Sequence, residues 1–328
     1  MTAIVQDGYG AAPETVLRLD QAARPQVADD RVLVRVRAAS VDRGTVHLMT
    51  GLPYLGRAFM GLRRPKALNP GRCLSGIVEA VGASVTAFRP GDEVYGSSAG
   101  SFAEFASARA DLLAPKPANL SFEEAAAAPI SGVTALQAVR DRAKIEPGQR
   151  VLIVGASGGV GTYAVQLAKA FGAEVTGVCS TGKVDLVRSL GADHVIDYTR
   201  DDVTGAGRAY DAILDIGGNR PVSQLRRVLT PKGRLVIVGG ETDGRWLGGL
   251  DRQLRAHLLS PWVSQTLGTF VASASSADLT VLRDLLESGK VTSAVDRTYP
   301  LREVPLAMRY VAEGRARGKV AITVSDRA

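Results

Sequence analysis

The chain has 328 residues, 45% of them apolar and 22% charged, with 40 Lys and Arg against 33 Asp and Glu for a formal charge of +7. That length suggests two domains with ample core, while the scattered basic residues and the 5% aromatic content leave no basic tail or base-stacking platform for nucleic acid. The two cysteines, Cys73 and Cys179, exclude a disulfide framework and a cysteine-rich zinc lobe.

Residues 1–125 are predicted to be β-rich. RVLVRVRAAS alternates Val32, Val34 and Val36 with charged neighbours, the period of a half-buried strand. GIVEAVG from Gly76 and GDEVYG from Gly91 are short strand-like pieces between glycines and prolines. Residues 54–72, YLGRAFMGLRRPKALNPGR, mix Leu55, Phe59, Met60 and Leu62 with Arg57, Arg63, Arg64 and Lys66. This composition suits a lid over an anionic ligand, a membrane-surface patch, or an exposed loop with one packed side.

From Ser121 the texture changes. Ser-x-x-Glu at Ser121 and Glu124 is a capping-box signature that opens a helix-forming stretch. RVLIVG is a short apolar run suited to a strand buried on both faces, and Val160, Ala164, Leu167, Ala168 and Phe171 then recur at helical spacing. AEVTGVC, HVIDY, YDAILDIGG and GRLVIVGG read as further strands, with helices at 184–190 and PVSQLRRVL between them. Strand and helix alternating at this spacing predict an α/β fold with a doubly wound parallel sheet. The tail returns to mixed character, with helices in DLTVLRDLLESGKV and REVPLAMRYVAEG and a closing strand KVAITV. No apolar run reaches the roughly 18 residues of a membrane span, and MTAIVQDGYG lacks a charged-then-apolar signal pattern. A cytoplasmic protein without stable membrane insertion is expected.

Between the RVLIV strand and the next helix stands Gly155-Ala156-Ser157-Gly158-Gly159-Val160-Gly161. Glycines at such a turn permit a tight bend, close backbone approach to a pyrophosphate and close helix–strand packing, and the helix start offers free N–H groups to the diphosphate. Laid on G-x-G-x-x-G, Ala156 takes the first glycine position, Gly158 the second and Gly161 the third. The acidic residue that binds the adenosine ribose in NAD proteins is expected at the end of the next strand, where Cys179 stands. Its absence removes a charge that would repel a 2′-phosphate. Ser180 and Lys183 supply a hydroxyl and an ammonium there, with Tyr198 nearby, so NADP (NADPH) is the expected coenzyme.

These residues carry a resemblance. GASGGVGTYAVQLAKAFGAEVTGVCST with LGADHVIDY resembles the medium-chain dehydrogenase/reductase superfamily, in its zinc-independent quinone oxidoreductase branch. GIVEAVGASVTAFRPGDEVYG, FAEFA and GKVAITV are similar to the GroES-like catalytic domain of that family. The resemblance implies a catalytic domain at 1–125, a Rossmann NADP-binding domain at 126–265 and a C-terminal return, 266–328, that completes the catalytic domain. It also implies a homodimer or homotetramer. By residue-by-residue comparison, Thr134 matches a threonine near the nicotinamide ribose, and Gly217, Gly239 and Gly240 match backbone positions lining the nicotinamide. Lys183 and Tyr198 match 2′-phosphate contacts, and Arg315 matches loosely a C-terminal arginine near that phosphate. Zinc-dependent relatives place a cysteine and a Gly-His-Glu where this chain has Val41-Asp42-Arg43 and Gly71-Arg72-Cys73, so no catalytic metal is expected.

Without zinc, conjugated substrates are the easier ones, because charge delocalises onto a carbonyl oxygen that needs only a hydrogen-bond donor. The resemblance therefore implies reduction of quinones or α,β-unsaturated carbonyls. Tyr54 resembles a pocket tyrosine of the branch and reads either as that donor or as a wall residue. Many relatives carry asparagine where Asp42 stands. Asp42 then reads as a protonated acid, as an acceptor for a hydroxylated substrate, or as a structural partner of Arg43 or Arg72. Two other functions stay open: a metal-free alcohol dehydrogenase or ketone reductase, and an NADPH-binding structural or regulatory protein without turnover.

Overall fold

The computed structural model describes residues 1–205, 207–239 and 244–324. The chain forms two compact units. One comprises Met1–Val133, Ala274–Gly289 and the chain from Ser293 onward; the other comprises Thr134–Ser273 and Lys290–Thr292.

The first unit contains β1 (Thr2–Gln6), β2 (Leu17–Gln21), β3 (Arg31–Val41), β4 (Cys73–Val81), β5 (Glu93–Ser97), β6 (Phe105–Arg109) and β7 (Leu113–Pro115). The second contains β8 (Arg150–Val154), β9 (Glu174–Cys179), β10 (His194–Asp197), β11 (Tyr210–Asp215), β12 (Leu229–Ile237) and β13 (Thr266–Thr269). The chain then re-enters the first unit with β14 (Val295–Pro300) and β15 (Lys319–Thr323).

In the first unit the strands run β14-β15-β3-β4-β5-β7, with β6 also paired to β3. The closing strand β15 lies antiparallel to β3, Val320 opposite Val41 and Ile322 opposite Ala39, so the two ends of the sequence share one sheet. Val32, Val34 and Val36 are buried as their alternation predicts. Leu33, which points to the opposite face, is buried too, so β3 is covered on both faces there.

In the second unit the order is β10-β9-β8-β11-β12-β13, with every pairing parallel. Connections reverse direction between β8 and β11, which makes the carboxyl ends of these neighbouring strands the switch point where open α/β sheets bind ligands. Val151, Leu152 and Ile153 of β8 are fully buried, as an apolar strand covered on both faces must be. β13 was not legible as a strand. It pairs with β12, Leu267 opposite Leu235, and this keeps Thr266–Thr269 in the parallel sheet beyond the boundary expected at residue 265.

Candidate functional site

The turn after β8 is built by backbone. Gly155 adopts φ +84°, a left-handed conformation that glycine tolerates best, and a Cβ on it would lie 2.8 Å from the Gly217 nitrogen. The tight bend therefore falls on Gly155, one residue before the position that the fingerprint assigns to Ala156. The amides of Gly155 and Ala156 both donate to the Val178 carbonyl, at 3.2 and 3.0 Å, which ties the turn to β9. Ala156 is fully buried and Ser157 nearly so.

Helix Gly159–Ala170 starts at Gly158, whose φ of −85° and ψ of 177° are those of an N-cap, with no side chain capping it. The Thr162 amide is bonded to the Gly158 carbonyl at 2.9 Å; the amides of Gly159, Val160 and Gly161 precede it and have no intrahelical acceptor. Gly158, Gly159 and Val160 are half-buried. A Cβ on Gly158 would meet only the Gly155 oxygen, at 3.5 Å, whereas one on Gly161 would lie 2.1 Å from that oxygen and 2.8 Å from Ala156. Gly158 thus leaves open room over a positive helix end, and Gly161 lets helix and strand touch. Such an arrangement fits a diphosphate.

At the end of β9, Cys179 is 2% exposed. Burial, and then the Asp197 carboxylate, push its thiol up to about 11, with Lys183 and Arg188 opposing. Cys179 is therefore uncharged at neutral pH. Ser180 precedes the single turn Thr181–Lys183, and the Tyr198 amide donates to the Cys179 carbonyl at 3.1 Å. Ser180, Lys183 and Tyr198 consequently flank one strand end; the Tyr198 ring is 55% exposed.

A carboxylate that the sequence reading missed also lies there. Asp197 sits opposite Cys179 in the β9–β10 register. It accepts from Thr181 Oγ1 at 2.5 Å, Thr199 Oγ1 at 2.7 Å and the Thr199 amide at 3.0 Å. These bonds, that from Thr181 foremost, hold its carboxyl below the usual aspartate range. Its charge is thus met by two threonines and, at 3.6 Å, by the Arg200 guanidinium. The Asp before Tyr198 was readable in HVIDY, but only the strand register sets it beside Cys179.

Gly217 and Gly239 follow β11 and β12. The Gly217 amide donates to the Val154 carbonyl at 3.2 Å and the Gly239 amide to the Asp215 carbonyl at 3.3 Å, so the ends of β8, β11 and β12 are stitched together. A Cβ on Gly239 would meet the Ile216 oxygen at 2.5 Å. Thr134 is half-buried on helix Pro129–Gln137 and begins this unit. Gly240 lies outside the described residues.

In the first unit, Asp42 caps helix Arg43–Thr50. Its Oδ1 accepts from the Thr45 amide at 2.9 Å, and its own amide donates to Thr45 Oγ1 at 3.4 Å. Its other carboxylate oxygen accepts from the Cys73 thiol at 3.8 Å. Burial, and then Asp42, raise the Cys73 thiol. Arg43 turns to the carbonyls of Val311 and Ala312, at 3.3 and 3.1 Å. Asp42 is thus the N-cap of this helix, a contact different from the expected pairing with Arg43 or Arg72.

Tyr54 opens a single turn, Tyr54–Gly56. The Arg57 guanidinium lies 4.7 Å from its ring centre and 4.4 Å from that of Tyr9, and Arg57 Nε donates to the Gly51 carbonyl at 2.9 Å. The following segment exposes Leu55, Phe59, Leu62 and Leu68, with Phe59 at 83%. Arg315 belongs to the first unit and pairs with Glu313 at 2.8 Å.

A parallel dinucleotide-binding sheet with a separate GroES-like β unit defines the α/β fold of the medium-chain dehydrogenases. Residues 28–118 match the family model for the alcohol dehydrogenase GroES-like domain and residues 190–322 that described as zinc-binding dehydrogenase. The chain is 33% identical to the mitochondrial NAD(P)H oxidoreductase RTN4IP1 of Mus musculus, over 99% of this chain and 89% of that protein. It is also 33% identical to the 2-methylene-furan-3-one reductase of Solanum lycopersicum, over 96% of this chain and 76% of that one. The Escherichia coli quinone oxidoreductase, solved in complex with NADPH, superposes with a TM-score of 0.82 at 25% identity, covering 98% of this chain and all of that one. The chain belongs to the medium-chain dehydrogenase/reductase superfamily, in its quinone oxidoreductase-like branch. Among the described residues, no helix is long and apolar enough to cross a membrane, and no three His, Cys, Asp or Glu side chains are grouped to hold a metal ion.

Proposed function

We propose that the protein is an NADPH-dependent, zinc-independent oxidoreductase that reduces quinones or α,β-unsaturated carbonyl compounds. The observation that carries this reading is the uncapped, open helix start at Gly158, followed one strand later by a neutral Cys179 beside Ser180, Lys183 and Tyr198. On this reading the amides of Gly159, Val160 and Gly161 bind the diphosphate. Ser180, Lys183 and Tyr198 take the 2′-phosphate, with Arg315 as a further cation. Gly217, Gly239 and Thr134 line the nicotinamide end. The bound coenzyme supplies a hydride. Tyr54 is assigned the donor role toward the substrate carbonyl oxygen, and Asp42 tunes substrate choice from its capping position.

The names of the relatives support the reaction class: an NAD(P)H oxidoreductase, a furanone reductase and a quinone oxidoreductase that binds NADPH. The preference for NADPH over NADH rests on the residues at the end of β9. Zinc independence rests on Val41-Asp42-Arg43 and Gly71-Arg72-Cys73 standing where zinc-dependent relatives carry a cysteine and a Gly-His-Glu. Cytoplasmic residence and a homodimeric or homotetrameric assembly belong to the same reading.

Transfer of label from deuterated NADPH tests it, with quinones and enones as acceptors and the product examined by NMR. Deuterium on a β-carbon is the expected result for an enone. Deuterium on a carbinol carbon would instead make the protein a ketone reductase, and tight NADPH binding without oxidation by any acceptor would make it a binding protein.

A further inference from the structure

Behind the glycine loops lies a charged pair that the sequence reading did not single out. Asp215 ends β11 and is fully buried; Arg252, in the first turn of helix Leu250–Leu259, is 7% exposed. The Arg252 guanidinium forms an ion pair with the Asp215 carboxylate, and its Nη1 donates to the Gly218 carbonyl at 2.5 Å. Burial lowers the pKa of Arg252, yet the neighbouring carboxylate supplies the partner that a buried guanidinium requires. A Cβ on Gly218 would fall 2.3 Å from Asp215 Oδ1, so glycine is what lets the carboxylate tuck beneath the loop. The backbone of Asp215 reaches the other way, its carbonyl accepting from the amides of Val238 and Gly239 at 2.9 and 3.3 Å.

The pair therefore fixes Gly218, at the end of the loop after β11, to the side chain of Asp215, while the backbone carbonyl of that same residue holds the end of β12; none of the loop's own side chains is used. Buried ion pairs stabilise folds poorly compared with apolar residues of the same volume, whereas they do fix geometry. The planar arginine fork engages a carboxylate and a carbonyl at once, which an ammonium cannot do with the same directionality.

We infer that Arg252 is a positioning residue for the nicotinamide end of the coenzyme: through Asp215 and Gly218 it sets the backbone of Gly217 and Gly239 without touching the ligand. This rests on the coenzyme assignment proposed above.

Calorimetry on the full chain with two probes tests the inference. NADPH carries the nicotinamide; adenosine 2′,5′-bisphosphate carries only the adenosine end. Two variants are compared with the wild type: Arg252→Lys, and the double variant Asp215→Leu with Arg252→Met, which leaves no buried charge unpaired and so is expected to fold. The expected result for the double variant is bisphosphate affinity within about twofold of wild type, NADPH affinity lowered roughly tenfold, and kcat lowered by up to about 100-fold from a misplaced reacting group. KM for the acceptor changes less than kcat, and Arg252→Lys recovers part of the loss. Equal weakening of both probes would mean general disruption and overturn the inference, as would unchanged NADPH binding and kcat. Should the double variant not fold, the same split between probes in Arg252→Lys decides alone. A wild type that binds neither probe would overturn the coenzyme assignment itself.

Discussion

The turn after β8 and the segment after β3 both carry residues assigned to chemistry, and their construction differs. After β8 the groups on offer are backbone amides, and glycine controls them at every step: Gly155 bends the chain, Gly158 leaves room and Gly161 permits contact. After β3 the groups are side chains with work to do in the fold. Asp42 caps a helix and accepts from Cys73, and the Tyr54 ring is stacked by Arg57. A backbone site is insensitive to most side-chain replacements and intolerant of an added Cβ. A side-chain site can exchange its chemistry while keeping its structural duty, and an Asp-to-Asn change at a helix cap does so.

The largest effect that would break this comparison lies at Gly161. A Cβ there would meet backbone atoms that cannot move aside cheaply, so Gly161→Val is expected to lower the free energy of unfolding by about 3 kcal/mol, measured by urea denaturation. Gly158→Ala should cost only about 0.5–1 kcal/mol, as alanine replaces glycine at an N-cap, while weakening NADPH binding. If both glycines behave alike, one packing and one open position are not what the turn contains.

The buried thiol at the end of β9 gives the next effect. Its folded pKa, about 11, lies above the ordinary value of 9.0. Between these values the unfolded chain has lost the proton that the folded chain keeps, so stability falls as pH rises through that window. The loss is on the order of 2 kcal/mol. Unfolding measured on either side of the window should show this loss in wild type and a smaller one in Cys179→Ala; identical slopes would remove Cys179 from the account.

Coenzyme preference sharpens the comparison further. Lys183→Ala should lower kcat/KM for NADPH by roughly 10- to 100-fold, the worth of one charge-assisted hydrogen bond, with the value for NADH nearly unchanged. A preserved ratio between the two coenzymes would place the 2′-phosphate elsewhere. The smallest effect is at the helix cap. Asp42→Ala should cost about 1 kcal/mol of stability, and Asp42→Asn only a few tenths, since both native-like residues cap well. Kinetics on Asp42→Asn with an identified acceptor then separate chemistry from capping, and an unaltered rate and pH profile would leave the cap alone.

Much of the parallel sheet was legible because its strands are continuous apolar runs and its turns are marked by glycine. The capping box at Ser121 was legible for a similar reason: both reciprocal bonds, Glu124 amide to Ser121 Oγ at 3.2 Å and Ser121 amide to Glu124 Oε2 at 2.9 Å, join residues three apart. β13 was not legible, since four residues containing Gly268 carry too little pattern to announce a strand, and its pairing with β12 is what makes it one. Nor could Asp42 be read as a cap before Thr45 was seen to bond back to it.

From the sequence alone came the α/β class, the turn that leaves helix amides open, and the uncharged residue at the end of β9, because steric and hydrogen-bonding constraints act between residues a few positions apart. Only the tertiary structure decided that Asp197 lies beside Cys179 and that Arg252 reaches Asp215 and Gly218. Those meetings depend on the register of parallel strands and on a helix packing against their ends, and register is set by burial across a whole sheet. No local pattern contains it.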